Sequence, residues 1–363
     1  MKFNDLTKQY QKIKRNINSS ITRVLKKSNF ILGEQVTTLE QELRKYTGSK
    51  YCICVGNGSD ALLISLVALD IKPGDEVITP AFSYISAAES IAFLGATPIF
   101  VDVDPDTYNI NINDLKKKIT KKTKAIIPVS LFGQIPDFDE INNLANKNNL
   151  TVIEDAAQSF GATYKNKKSC NLSEIACTSF FPSKSLGCYG DGGAIFTKSK
   201  KLFDKIIKLR NHGQDKKYSH KFIGINSRLD TLQAAILLEK LKILDWEIKK
   251  KQKIAKQFIT EINKRFPKIK TPDVSENCNH IFSQFTIQVN KRDKYIDSFV
   301  RSSIPYAIHY PKIIPQQEAF KKFCKNYTFP VSLKLSRTVM SLPIHPYLTK
   351  NDISRIINAL DIN

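Results

Sequence analysis

The chain has 363 residues, 42% of them hydrophobic and 25% charged, which is globular composition with enough length for a large core and a second, smaller domain. Its formal charge of +22 is spread along the chain, as in Lys116-Lys117-Lys118 and Lys249-Lys250-Lys251, with no helix-turn-helix, zinc-finger or RNA-binding signature, so a solvated basic surface is expected and no nucleic-acid partner. No apolar run is long enough to cross a bilayer, Met1-Lys2-Phe3-Asn4-Asp5 lacks the layout of a signal peptide, and seven cysteines without a regular framework argue against a secreted disulfide scaffold. A cytoplasmic chain is expected, and no metal, because no second Cys or His pair stands at zinc spacing.

Leu6, Tyr10, Ile13, Ile17, Ile21 and Leu25 recur at three- and four-residue spacing and predict a helix. Gly33 punctuates, and Val36, Leu39 and Leu43 begin a second one. From residue 51 short apolar runs alternate with helical segments. Strands are expected at 51–55, 76–79, 97–103, 125–130 and 151–154, with helices at 60–69, 87–94 and 137–146. Such alternation implies an α/β fold, a mainly parallel sheet with helices on both faces. A long amphipathic helix is expected from Ser227 past Leu244. The domain boundary is placed within that connection, giving residues 1–245 and 246–363. The second unit reads as α+β, with strands at 283–289 and 306–309.

Three motifs carry chemistry. In Thr178-Ser179-Phe180-Phe181-Pro182-Ser183-Lys184-Ser185-Leu186-Gly187, a lysine follows a strand end and precedes the glycine-rich Gly190-Asp191-Gly192-Gly193. A pyridoxal phosphate enzyme needs one such amine beside a phosphate cradle, with glycines that let the backbone approach a planar ring. The Ser179 hydroxyl can donate to a phosphate. Alone, Lys184 reads as a surface lysine in a turn. Next, Val152-Ile153-Glu154-Asp155-Ala156-Ala157-Gln158 ends an apolar strand in an acid, where α/β folds bind ligands. Asp155 there can hold a pyridine nitrogen protonated, and strand alternation sends Glu154 the other way. A helix N-cap is the simpler role for Asp155. Third, Gly56-Asn57-Gly58-Ser59-Asp60 leads from a strand into a helix and suits a phosphate, or simple capping.

In this order the motifs resemble the DegT/StrS family of sugar aminotransferases, pyridoxal phosphate enzymes of fold type I. The likeness runs through Gly95-Ala96-Thr97-Pro98, Phe132-Gly133-Gln134, Arg210-Asn211-His212-Gly213 and Asn226-Ser227-Arg228-Leu229-Asp230. Residues 168–196 and Ser341-Leu342-Pro343-Ile344-His345-Pro346-Tyr347 are similar to members that aminate C3 of UDP-2-acetamido-2-deoxy-3-oxoglucuronate, with L-glutamate as donor, for surface-polysaccharide synthesis. The resemblance implies that Lys184 carries the cofactor and moves protons, and that Asp155 faces the pyridine nitrogen. It implies that Gly58, Ser59 and Ser179 hold the phosphate, Gln158 lies near the ring hydroxyl, and Tyr84 stacks on the ring, with Phe82 as second choice. Asn226 is expected to reach the phosphate of a neighbouring subunit in a homodimer with shared sites. Phe30, Ser183, Arg228, His309 and Tyr310 match positions that touch the UDP-sugar; Phe30 lacks the hydroxyl of the Tyr found in close relatives.

Other classes stay open at this point. They are amination at another keto position such as C4, a sugar dehydratase of the same fold (which has histidine in place of the lysine), and a non-catalytic basic regulator.

Overall fold

The computed structural model describes residues 1–324 and 328–362. Two helices, α1 (Leu6–Lys27) and α2 (Glu34–Thr47), lead into strand–helix alternation. Its helices are α3 (Gly58–Ala68), α4 (Ser86–Phe93), α5 (Ile112–Lys118), α6 (Phe138–Lys147) and α7 (Lys200–Leu209). Its strands are β1 (Tyr51–Val55), β2 (Glu76–Pro80), β3 (Thr97–Val101), β4 (Thr123–Ile126), β5 (Thr151–Asp155), β8 (Ile175–Ser179) and β9 (Gly193–Thr197), with β6 (Thr163–Tyr164) and β7 (Lys167–Lys168) forming a hairpin between β5 and β8. The main sheet has the order β1-β9-β8-β5-β4-β2-β3. It is parallel from β3 across to β8, while β9 runs antiparallel to both of its neighbours. Side-chain alternation builds two cores from one strand: Cys52 and Cys54 of β1 join the cluster on one face, Ile53 and Val55 that on the other.

A hairpin, β10 (Gln214–Lys216) and β11 (Ser219–His220), precedes α8 (Thr231–Arg265). This helix starts later than the expected Ser227, because the chain before it is extended. Asn226 bridges Asn211, and Asp230 bridges Ile31. At 35 residues α8 spans roughly 50 Å and passes through two cores. Leu237 and Leu244 face the core of the main sheet; Ile254, Phe258 and Ile262 face the core of the C-terminal part. The expected boundary at residue 245 therefore falls inside one continuous helix, and the expected end of the second unit, residue 363, lies outside the described residues. Beyond α8, β12 (Cys278–Asn279) pairs with β6, and β13 (Phe285–Gln288) pairs with β14 (Val339–Leu342). The remaining helices are α9 (Arg292–Arg301), α10 (Pro330–Thr338) and α11 (Lys350–Asn358).

Several strand ends differ from expectation for local reasons. The 125–130 run pairs as a strand only to Ile126, since Pro128 has no N–H to give a ladder. Its continuation still tracks β5, with Asp155 N donating to Pro128 O and Ser130 N to Asp155 O, both at 3.0 Å. The 97–103 run ends at Val101 because Asp102 turns its carboxylate to the start of α10. Residues 306–309 make one bridge only, Ala307 to Ser341. β9 and β14 were not expected.

Asp102 ties the C-terminal part to the main sheet. Its carboxylate accepts from Val331 N at 2.9 Å, Ser332 N at 2.8 Å and the Ser332 hydroxyl, and it is buried. Charge-assisted bonds of this kind contribute about 1.5–3 kcal/mol each and are not additive. Asp102→Ala should lower stability to urea by about 3 kcal/mol, read from the unfolding midpoint.

Candidate active site

A cavity of about 510 Å³ opens at the carboxyl ends of β5 and β8, where ligands of α/β sheets bind. Its floor comes from the sheet and the start of α3; Gln284, His309 and Tyr310 enter from the C-terminal part.

At one end the first turn of α3 offers its backbone N–H groups. Asn57 caps the helix, its side chain accepting from Asp60 N at 2.8 Å, which leaves the earlier amides of Gly58 and Ser59 for a ligand. A Cβ on Gly58 would lie 2.7 Å from the Ser179 Cβ, so only glycine lets the helix start meet the end of β8. The Ser59 hydroxyl is 2.9 Å from that of Ser86, and the Ser179 hydroxyl accepts from Phe181 N at 3.2 Å. Three hydroxyls and a helix N-terminus thus form an anion cradle.

Asp155, the last residue of β5, lines the same cavity. The pleat separates it from Glu154 as expected. Glu154 is fully buried on the other face and accepts from the Ser169 hydroxyl, Cys170 N and Leu172 N, with burial pushing its carboxyl up to about 7 despite those bonds. Asp155 accepts one protein bond, from Ala157 N at 3.0 Å, within a turn rather than at a helix start. Burial raises its carboxyl, countered by the Ala157 amide and by Lys184.

Lys184 sits in the tight loop after β8, where its N–H donates to Phe181 O at 2.9 Å. Desolvation lowers its amine from the ordinary lysine range, and the Asp155 carboxylate pulls it partly back. The loop is held from α8: Gln233 accepts from Tyr189 N and donates to Tyr189 O, and buried Lys240 donates to Gly187 O.

The two aromatic candidates separate clearly. Tyr84 is 58% exposed and lines the cavity; Phe82 is wholly buried and belongs to a core cluster. Gln158 is fixed from two sides, accepting from Phe132 N at 2.9 Å and donating to the Tyr310 hydroxyl at 3.1 Å. His309 Nδ1 lies 2.9 Å from the Ser341 hydroxyl, and desolvation with the nearby Lys184 charge lowers it to about 4, so it is neutral at pH 7. Ser183 also lines the cavity.

Phe30, Asn226 and Arg228 do not line this cavity in the same chain. Their contacts lie elsewhere: Thr231 N donates to Phe30 O, while Asn226 bridges Asn211 and Arg228 Nη1 donates to Asn211 Oδ1 at 3.1 Å. Arg228 Nε is buried without a partner. Conversely, Ser86, Asp191 and Gln284 line the cavity without having been singled out. Asp191 stood inside the quoted glycine-rich loop; Ser86 and Gln284 carried no motif. Among the described residues no cluster of His, Cys, Asp and Glu is arranged to hold a metal, and no helix is long and apolar enough to cross a membrane.

An enclosed lysine amine, a facing carboxylate and an anion cradle, all in one cavity, fit a ligand with an aldehyde, a ring nitrogen and a phosphate. Residues 11–361 match the DegT/DnrJ/EryC1/StrS aminotransferase family, and the chain belongs to it. It is 49% identical, over 99% of both chains, to the UDP-2-acetamido-2-deoxy-3-oxo-D-glucuronate aminotransferase of Pseudomonas aeruginosa. Its fold superposes on a family aminotransferase from Brucella abortus with a TM-score of 0.95, at 38% identity, covering 99% of this chain and 98% of that one. NtdA of Bacillus subtilis, solved with bound cofactor PMP, matches with a TM-score of 0.89 at 31% identity, covering 95% and 80%.

Because the Asp155 carboxylate raises the Lys184 amine, its removal should lower that amine further. In cofactor-free protein, the pH dependence of Lys184 acylation, read by peptide mapping, should show a midpoint below the ordinary lysine range. Asp155→Asn should move that midpoint further down.

Proposed function

We propose that this chain is a pyridoxal phosphate-dependent aminotransferase. Its acceptor is C3 of UDP-2-acetamido-2-deoxy-3-oxo-D-glucuronate, its donor L-glutamate, and its products the 3-amino sugar nucleotide and 2-oxoglutarate, for surface-polysaccharide (O-antigen) synthesis. The reading rests on the shared cavity of Lys184, Asp155 and the cradle at Gly58 and Ser59. The choice of sugar is supported by the likeness to the Pseudomonas aeruginosa enzyme.

When bound, pyridoxal phosphate supplies an aldehyde carbon that carries the amino group and a ring that withdraws electrons from the reacting carbon. Lys184 anchors it, and the freed amine removes the proton from the α-carbon of glutamate; in the second half it delivers a proton to C3 of the sugar. Its desolvation favours the neutral base. Asp155 keeps a proton on the ring nitrogen through its free oxygen. Gly58, Ser59 and Ser179 bind the phosphate, Tyr84 covers the ring and Gln158 lies beside the ring hydroxyl. Residues 1–245 form the cofactor-binding unit and 246–363 the smaller unit that brings His309 and Tyr310 to the sugar, beside Ser183.

The protein works as a homodimer. Asn226 reaches the phosphate of the partner's site, and Phe30 and Arg228 serve the sugar nucleotide. The unpartnered Arg228 Nε supports a ligand role, since a guanidinium can meet the C6 carboxylate with two bonds.

Turnover of the 3-oxo-glucuronate nucleotide with glutamate, followed by product analysis, tests the whole reading; an amine at C4, or none, overturns it. Borohydride reduction should place the pyridoxyl group on Lys184, and Lys184→Ala should fold but not turn over. Mixing inactive Lys184→Ala and Asn226→Ala subunits should restore activity, because one site of each mixed dimer is intact. Arg228→Ala should cost the uronate about 2–5 kcal/mol in kcat/KM and a neutral 3-oxo hexose nucleotide far less.

A further inference from the structure

Behind the Lys184 loop, on the side away from the cofactor cavity, lies a second and much smaller space of about 30 Å³, room for one or two water molecules. Ser183 and Lys184 line both spaces, so this loop is the wall between them. The rear chamber is lined by the start of α1, by α8 and by residues 344–347 of the C-terminal part.

Its polar groups are not satisfied by one another. Lys251 of α8 is only 8% exposed, and its ammonium makes no hydrogen bond or ion pair among the described residues. Glu247, one turn earlier, faces the same space, but its carboxylate is taken by others: Gln9 Nε2 donates to both oxygens at 2.9 Å and the Tyr347 hydroxyl donates at 2.7 Å. Gln9 Oε1 and His345 Nε2, on two further lining residues, are buried without a partner. The Lys251 ammonium has no protein acceptor and Gln9 Oε1 no donor, while neutral His345, whose Nδ1 accepts from Tyr347 N, has an Nε2–H with no acceptor; these mixed needs call for a bridging ligand that both donates and accepts.

The charges around the chamber choose that ligand. Lys184 and Lys251 on the lining are matched by Asp5 and Glu247, and desolvation lowers His345 toward its neutral form. The surroundings carry no excess positive charge to hold an anion. The remaining class is a small neutral molecule that both donates and accepts.

We propose that the rear chamber is a bound-water site, in which one or two waters accept from Lys251 and connect it to Glu247 and to the back of the Ser183-Lys184 loop. Lys251 is then a positioning residue for the catalytic lysine: it acts through water on the loop that sets the Lys184 amine. The functional half of the inference rests on the role of Lys184 given above; the hydration site itself does not depend on it.

The test is a crystal structure of the holoenzyme at a resolution that shows ordered water, with a bromide soak, alongside Lys251→Met and Lys251→Gln. Wild type should show water about 3 Å from Lys251 Nζ. Lys251→Met should lose it, and the half-reaction with glutamate alone should slow about 10-fold with KM unchanged. Its thermal midpoint serves as the folding control. Lys251→Gln, which keeps a donor, should retain the water and most of the rate. A dry chamber, a direct Lys251–Glu247 contact, a bromide peak or an unchanged half-reaction in Lys251→Met overturns the proposal. Using glutamate alone keeps it separate from the choice of sugar, and a wild type inert to glutamate would overturn the donor reading instead, while the crystal still decides the hydration site.

Discussion

The cavity at the carboxyl ends of β5 and β8 depends on the pleat at the end of β5. Two adjacent carboxylates, Glu154 and Asp155, are both buried there, and two charges side by side in an apolar interior would not be tolerated. The strand resolves this by turning them to opposite faces. Glu154 is given three protein donors and becomes structural; Asp155 is given one, and keeps acceptor capacity for a ligand. The backbone under Asp155 is pinned from both sides, to Pro128 and Ser130 on one neighbour and through Ala156 N to Cys177 O on the other. The carboxylate therefore needs no rearrangement to meet a charged ring nitrogen, which is the condition for electrostatic preorganisation.

The other groups are placed relative to that fixed point by close approach. α3 begins against the end of β8 only because Gly58 has no side chain, and a Cβ on Gly193 would stand 2.5 Å from Asn57 O. Glycine at these contacts lets the start of α3 meet the end of β8 and the start of β9. The loop itself has little regular structure, so α8 supplies its rigidity through Gln233 and Lys240. A helix that spans both cores thereby holds the Lys184 loop from behind, and connects its position to the C-terminal part.

The pattern of residues made some of this legible and hid the rest for definite reasons. Acid at a strand end and alternation within the strand are local properties, so Asp155 and the opposite course of Glu154 could be read from residues 151–155. The choice between Tyr84 and Phe82 could not, because two aromatics two residues apart differ only in what packs over them. The glycine-rich loop masked β9, whose pairing with both β1 and β8 is long-range. The start of α8 was misplaced since bridges from residues 31 and 211, far away in sequence, hold 226–230 extended. Gln284 reaches the cavity only through the folding of the C-terminal part, and nothing near it in sequence announces that.

Charge gives one more constraint on how the site is completed. The ligands proposed for it are a dicarboxylic amino acid and a sugar diphosphate, yet among the described residues Lys184 is the one lysine or arginine that lines the cavity, and Asp155 and Asp191 add negative charge. His309 cannot compensate, being neutral at pH 7. Two or more anionic groups in a partly desolvated cleft need fixed cations to replace their hydration. Arg228, partly buried with a free Nε and braced by Asn211, has the form of such a cation but does not line its own chain's cavity. Local electrostatics thus favour a site completed across a subunit boundary.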